Sequence, residues 1–125
     1  MQEHGFFKIE IIKQTLSVEY FDAWNIETAL RYCAEFKYLA EKINNNPWAC
    51  LLDLSQWELG ILEMMDEVRK LNEWTNINNQ KYEAVVCRLS LQKWLMASTH
   101  RALTNVEIRF FDNRKEAQDW LNSVI

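Results

Sequence analysis

Two short stretches of this chain end an apolar run with side chains able to do chemistry: Leu51-Leu52-Asp53-Leu54-Ser55 and Val85-Val86-Cys87-Arg88-Leu89-Ser90. In each, a charged residue is followed two positions later by a serine. If the two runs are neighbouring strands, Asp53 and Arg88 would pair across the gap, with Ser55 and Ser90 beside them to contact a ligand or accept a phosphate. Plainer readings stand next to these. The ion pair would then be structural, Ser55 with Glu58 has the spacing of a capping box, and Ser90 would cap the following helix. Trp24 and Trp57 fall at strand-to-helix junctions, where an indole projecting over the same sheet edge would anchor a partner or line an apolar pocket. The alternative is that both rings merely cover loops. Asp53, Ser55, Trp57, Arg88, Ser90 and Trp24 are therefore the candidate contact residues for a partner or ligand, and no catalytic residue is assigned.

Other chemistries find less support. Cys33, Cys50 and Cys87 lie far apart in apolar segments with no C-x-x-C pair, which points to buried, reduced thiols and away from zinc or thiol redox work. His4 and His100 have no Cys, His or carboxylate at ligand spacing, so neither a metal nor a cofactor is expected. The chain has two glycines, too few for a P-loop or a G-x-G-x-x-G turn, and there is no nucleophile elbow. Glu58, Glu63, Asp66 and Glu67 read as a solvated helix face, with Asp66 and Lys70 at i,i+4 spacing, better than as an acid/base pair. An enzyme built on Asp53, Arg88 and Ser55 is the least favoured reading.

The elements that must position these residues follow from periodicity. With 125 residues, 49% hydrophobic and 26% charged, the chain is expected to form one domain over 1–125. A net charge of −4 disfavours broad nucleic-acid or anionic-membrane binding. No basic segment precedes a long apolar one at the start, and no apolar run reaches membrane-spanning length, which together suggest a cytoplasmic protein without an integral membrane segment. Phe7, Ile9, Ile11 and then Leu16, Val18, Tyr20 alternate as two strands joined near Lys13-Gln14. From Asn25, a capping residue, Ile26, Ala29, Cys33, Phe36, Ala40 and Ile43 mark a helix that stops at Asn44-Asn45-Asn46-Pro47. Ala49 to Asp53 is a buried central strand. Ile61/Leu62, Met65, Val68, Leu71 and Thr75 make a second helix, and Tyr82 to Cys87 another strand. The third helix places Leu91, Trp94/Leu95, Ser98 and Ala102 on its apolar face, and Val106–Phe110 and Ala117–Val124 complete the chain as strand and helix. Trp48, Trp94 and Trp120 are expected in the core. The order ββαβαβαβα predicts an α/β fold with a mostly parallel five-stranded sheet, an antiparallel N-terminal hairpin and four flanking helices.

That order, the Asp53-Leu54-Ser55 exit from the central strand and the C-terminal run Ile108-Arg109-Phe110-Phe111-Asp112 to Trp120-Leu121 resemble the STAS superfamily, in particular its stand-alone SpoIIAA-like domains. The resemblance covers essentially the whole chain. It implies a non-enzymatic regulatory module acting through protein–protein interaction, here through the segment from Asp53 to Leu62 and the second helix. On that reading, removing Trp57 would weaken partner capture and leave the fold intact. A similarity to Sec14-type lipid-binding domains implies the alternative of a carrier or sensor for a small apolar ligand. Phosphorylatable members of the family carry Asp-Ser-Ser-Gly at the start of the second helix. This chain has Gln56-Trp57-Glu58-Leu59-Gly60-Ile61 there, without Ser or Thr, so switching by that serine is not expected. Homo-oligomerisation is compatible with so short and aromatic a chain, although no symmetric motif calls for it.

Overall fold

The computed structural model describes residues 3–60 and 62–125. Ile61, read above as part of the second helix, lies outside them. Strands β1 (Phe6–Ile12), β2 (Thr15–Trp24), β3 (Trp48–Gly60), β4 (Gln80–Val86) and β5 (Glu107–Phe111) alternate with helices α1 (Ile26–Ala40), α2 (Leu62–Asn76), α3 (Ser90–His100) and α4 (Arg114–Val124) in the expected order. One sheet runs β1-β2-β3-β4-β5, with β1 antiparallel to β2 and every other pair parallel. The two-residue turn of the hairpin puts Lys13 at a φ of 57°, a conformation usually left to Gly or Asn.

Alternation along β3 feeds two cores. Cys50, Leu52 and Leu54 join Leu16, Val18, Tyr20, Phe36, Val68 and Met96 in the larger one, against α1, α2 and α3. Ala49 and Leu51 face the other way, into a smaller core with Ala84, Val86, Ala117 and Leu121 of α4. The central strand is apolar on both faces because both are covered. Asn25 caps α1 as expected, accepting from Thr28 N at 3.2 Å, and Asn113 caps α4, accepting from Glu116 N at 2.9 Å. His4 docks on the first of these caps. Its carbonyl accepts from Thr28 Oγ1 at 2.7 Å, which ties the N-terminal segment to α1.

Four expectations are corrected. Helix α1 ends at Ala40, short of Ile43, because Lys42 and Ile43 donate to Leu39 and Ala40 in tightened i→i−3 turns. Ser55 and Glu58 form no capping box, since β3 continues through both to Gly60 and α2 starts at Leu62. Ser90 does not cap α3: the cap position is Leu89, with no side-chain hydrogen bond. Most consequentially, α3 is turned inside out. Its buried residues are Gln92, Met96 and Thr99, while Leu91 and Trp94 are 54% and 70% exposed. Of the tryptophans placed in the core, Trp48 is fully buried and Trp120 half-buried between Tyr82 and Phe111, whereas Trp94 is outside.

The inversion has a local cause in β3. Against β2, the register advances from Glu19↔Asp53 to Phe21↔Gln56, so Leu54 and Ser55 lie in a bulge. A bulge leaves ladder groups unpaired and re-aims the strand. The carbonyls of Leu54 and Trp57 instead accept from the Gln92 amide at 3.0 and 3.1 Å. Farther along α3, Asn72 of α2 donates to the Thr99 carbonyl at 3.0 Å, and His100 Nε2 lies 2.7 Å from the buried Glu83 carboxylate. The inner face of α3 is thus held by polar bonds. Met96 is the large apolar residue buried among them, and Leu95 packs partly against the core, while Leu91 and Trp94 are left on the other side.

Candidate functional site

Where β3 and β4 end, the bulged strand and the start of α3 diverge and leave an open crevice of about 470 Å³. Ser55, Trp57, Cys87, Arg88, Leu89 and Gln92 line it. Of the six candidate contacts, the fold therefore brings Ser55, Trp57 and Arg88 to one place, at the carboxyl edge of a parallel sheet where α/β folds concentrate their sites. Ser90 follows Leu89 as the first, exposed residue of α3.

Asp53 and Trp24 are positioned for other work. The expected pair of Asp53 with Arg88 is not formed. Asp53 points to the α4 side of the sheet, where Oδ2 lies 3.4 Å from Arg114 and Oδ1 accepts from Ser55 N at 2.9 Å. Arg114 also donates to Ser17 Oγ and lies 3.7 Å from Glu19, so one guanidinium collects the polar groups that β2 and β3 present beneath the N-terminus of α4. Arg88 Nε donates to the Asp112 carbonyl at 3.1 Å, and the residue lines the crevice. Trp24 does not project over the edge. It is buried, donates to the carbonyls of Phe6 and Phe21 at 3.1 Å each, and stacks among Tyr20, Phe7 and Tyr32. Trp57 is buried as well, its ring meeting Tyr20 edge-on at 5.6 Å, and its indole N–H finds no acceptor among the described residues.

The crevice is chemically quiet. None of its described lining residues carries a carboxylate or an imidazole, and Arg88 is its only charge. Burial pushes the Cys87 thiol above its ordinary range, an effect that nearby Lys93 only partly opposes. The thiol contacts the Leu89 carbonyl and the Gln92 amide oxygen, so it sits there as a weak donor and not as a nucleophilic thiolate. The other two thiols are further from ionising: burial moves Cys33 up to about 12 and Cys50 well upward. What the crevice offers is a hydroxyl, a guanidinium, side-chain amides and the exposed Leu89, which suits recognition of another molecule's surface better than bond-breaking.

A second polar cluster was missed by sequence reading. Behind α2 and α3, Glu83 and His100 meet Tyr20 and Tyr32 around a small space of about 10 Å³. Gln80 donates to the second Glu83 oxygen at 3.0 Å. Burial raises both tyrosine hydroxyls well above their usual range, so they remain neutral. His100 and Glu83 are 17 positions apart, and nothing in their spacing announces the contact. No helix of the described residues is long and apolar enough to cross a membrane.

Comparison with known proteins places this architecture. A profile of the SpoIIAA-like family matches residues 31–122. Among solved structures, the chain is similar to an uncharacterized protein of the DUF3478 family with a SpoIIAA-like fold from Shewanella loihica PV-4, at 19% identity and a TM-score of 0.72, over 97% of this chain and 96% of that one. It is also similar to the anti-sigma factor antagonist SpoIIAA in its unphosphorylated form, at 7% identity and a TM-score of 0.69, over 95% and 99% of the two chains. An anti-sigma factor antagonist from Mycobacterium paratuberculosis aligns at 10% identity and a TM-score of 0.64, over 95% of each chain. No curated protein sequence matches.

Proposed function

Because the chain belongs to the SpoIIAA-like family, we propose that it is a non-enzymatic, cytoplasmic regulatory module that works by binding a partner protein at the carboxyl ends of β3 and β4. The observation that carries this reading is the crevice between those strand ends, which is open and lined by polar and apolar residues together, with Arg88 as its one charge. Two of the structural neighbours are anti-sigma factor antagonists, which supports a protein as the thing bound. The segment Gln56–Gly60 is strand and contains no hydroxyl side chain, so control by a phosphoserine at the start of α2 has no acceptor among those residues. A carrier of apolar ligands draws less support, because the space within the core beside Tyr20 and Glu83 has room for at most one water, and the larger hollows are open at the surface.

The test is a photo-reactive residue introduced at Ser55 in the full chain, expressed in its own cells. The expected result is a covalent adduct with another protein that the same residue at Tyr38, exposed on α1, does not give. No adduct from position 55, or equal adducts from both positions, would overturn the reading.

A further inference from the structure

Between Glu83 and Glu107 the chain contains no Asp or Glu, yet it carries Arg88, Lys93 and Arg101. This is unusual in a protein with 18 acidic residues against 14 basic ones. The other two helices on that side of the sheet are rich in acid: Glu27 and Glu35 on α1, and Glu63, Asp66, Glu67 and Glu73 on α2. The acid-free run is α3 with its flanks, the helix that leaves Leu91 and Trp94 facing out. Leu89, Leu91 and Trp94 are exposed along it, and Leu62, 74% exposed at the first turn of α2, shares a hollow with Trp94. A shallow hollow between the two helices is lined by Leu62, Met65, Trp94, Leu95 and Arg101. Asp66, at its edge, lies 3.5 Å from Arg69 and is partly neutralised there.

An amphipathic helix ordinarily buries its apolar stripe, because each large apolar side chain withdrawn from water contributes about 1.5–3 kcal/mol. Here Met96 is buried and Leu95 packs partly against the core, but Leu89, Leu91 and Trp94 stay in solvent while Gln92, Thr99 and His100 share the inside with Met96. Contiguous exposed apolar surface rimmed by charge marks an interaction site. The charges identify what fits. Arg88 stands before the first turn of α3 and Arg101 just after its last, with Lys93 between them, and Arg101 makes no ion pair among the described residues. We propose that the outward face of α3, with Leu62, docks a segment of the partner protein that is apolar along roughly the 16 Å length of this helix and bears acidic residues at its ends. This rests on the partner-binding reading above and adds the place and the chemistry of the contact. A second copy of this chain fits poorly in a two-fold arrangement, since α3 against α3 sets Arg88, Lys93 and Arg101 against their own kind.

The experiment places the photo-reactive residue at Trp94, in parallel with Ser55, in the full chain in its own cells, and sequences the attached segment by tandem mass spectrometry. The expected result is attachment at position 94 to an apolar, acid-flanked segment of another protein, reduced at least about fivefold in yield by combining Arg88→Glu with Arg101→Glu. Attachment to a basic or neutral segment, to a lipid or to a second copy of this chain would overturn the inference, as would a yield untouched by the charge reversal. An adduct from position 55 with none from 94 would also overturn it and leave the partner-binding reading standing. Silence at both positions would remove both.

Discussion

Glu83→Ala is expected to cost about 3–5 kcal/mol of folding stability, read as a lowered urea midpoint, because it removes one half of a buried polar pair and leaves the other half without compensation. Glu83 and His100 side chains are 5% and 8% exposed, 2.7 Å apart. The second carboxylate oxygen accepts from Gln80, itself 1% exposed, so two buried polar groups lose their partner together. His100 is the last residue of α3, and its bond to β4 pins that end of the helix to the sheet. Glu83→Gln keeps the volume and the capacity to bond both neighbours, and should recover more than half of the loss. A cost under about 1 kcal/mol for the alanine variant would mean that the pair is open to water, and the account of how α3 is anchored would be wrong.

Trp57→Ala is the second large effect, expected at about 3–5 kcal/mol as for other large-to-small changes of buried aromatics. Trp57 is 3% exposed and packs on Tyr20. The expectation that this ring can be removed with the fold intact therefore fails on burial, and the variant would confuse a loss of partner with a loss of structure. Trp57→Phe should cost clearly less, since it keeps an aromatic ring in the core and deletes an indole N–H that has no acceptor among the described residues. Trp94→Ala gives the contrast: at 70% exposure it should change stability by no more than about 0.5 kcal/mol. Chemical unfolding of the three variants side by side checks this. Equal losses for Trp57→Ala and Trp94→Ala would contradict the assignment of inner and outer tryptophans.

Element order and sheet topology were legible because they rest on changes of apolar period. Leu16-Val18-Tyr20 alternates by two, Ile26 to Ala40 repeats at helical spacing, and Ala49 to Leu52 is continuous because the central strand is covered twice. The crevice was legible in part, since strand ends in a parallel sheet gather whatever residues follow the apolar run, and Ser55 and Arg88 do meet there. Two physical effects hid the rest. A capping box and a bulged strand have the same Ser-x-x-Glu wording at Ser55–Glu58, and only the pairing with β2 decides between them. For α3, choosing the buried face by hydrophobicity assumes that polar side chains prefer water. Gln92 and His100 reverse that preference because β3 runs on past the end of its pairing with β4 and offers the Leu54 and Trp57 carbonyls, and β4 offers a carboxylate. Arg114 could be joined to Asp53 only once α4 was known to lie across the sheet, 61 positions away in the chain. The candidate contacts thus divide into a crevice set, an internal ion pair and a core indole, although all six share one edge in sequence terms.

The central claim, that the surface formed by the crevice and the outward face of α3 is covered by a partner in the cell, is tested most directly by hydroxyl-radical footprinting of the tryptophans and leucines, comparing the isolated protein with the same protein inside its own cells. In isolation Trp94, Leu89 and Leu91 should be oxidised readily while Trp24, Trp48 and Trp57 are protected. Inside cells the account predicts that Trp94, Leu89 and Leu91 become protected while Tyr38 and Ile77, exposed on α1 and after α2, stay reactive. Oxidation of Trp94 to the same extent in both settings would contradict it.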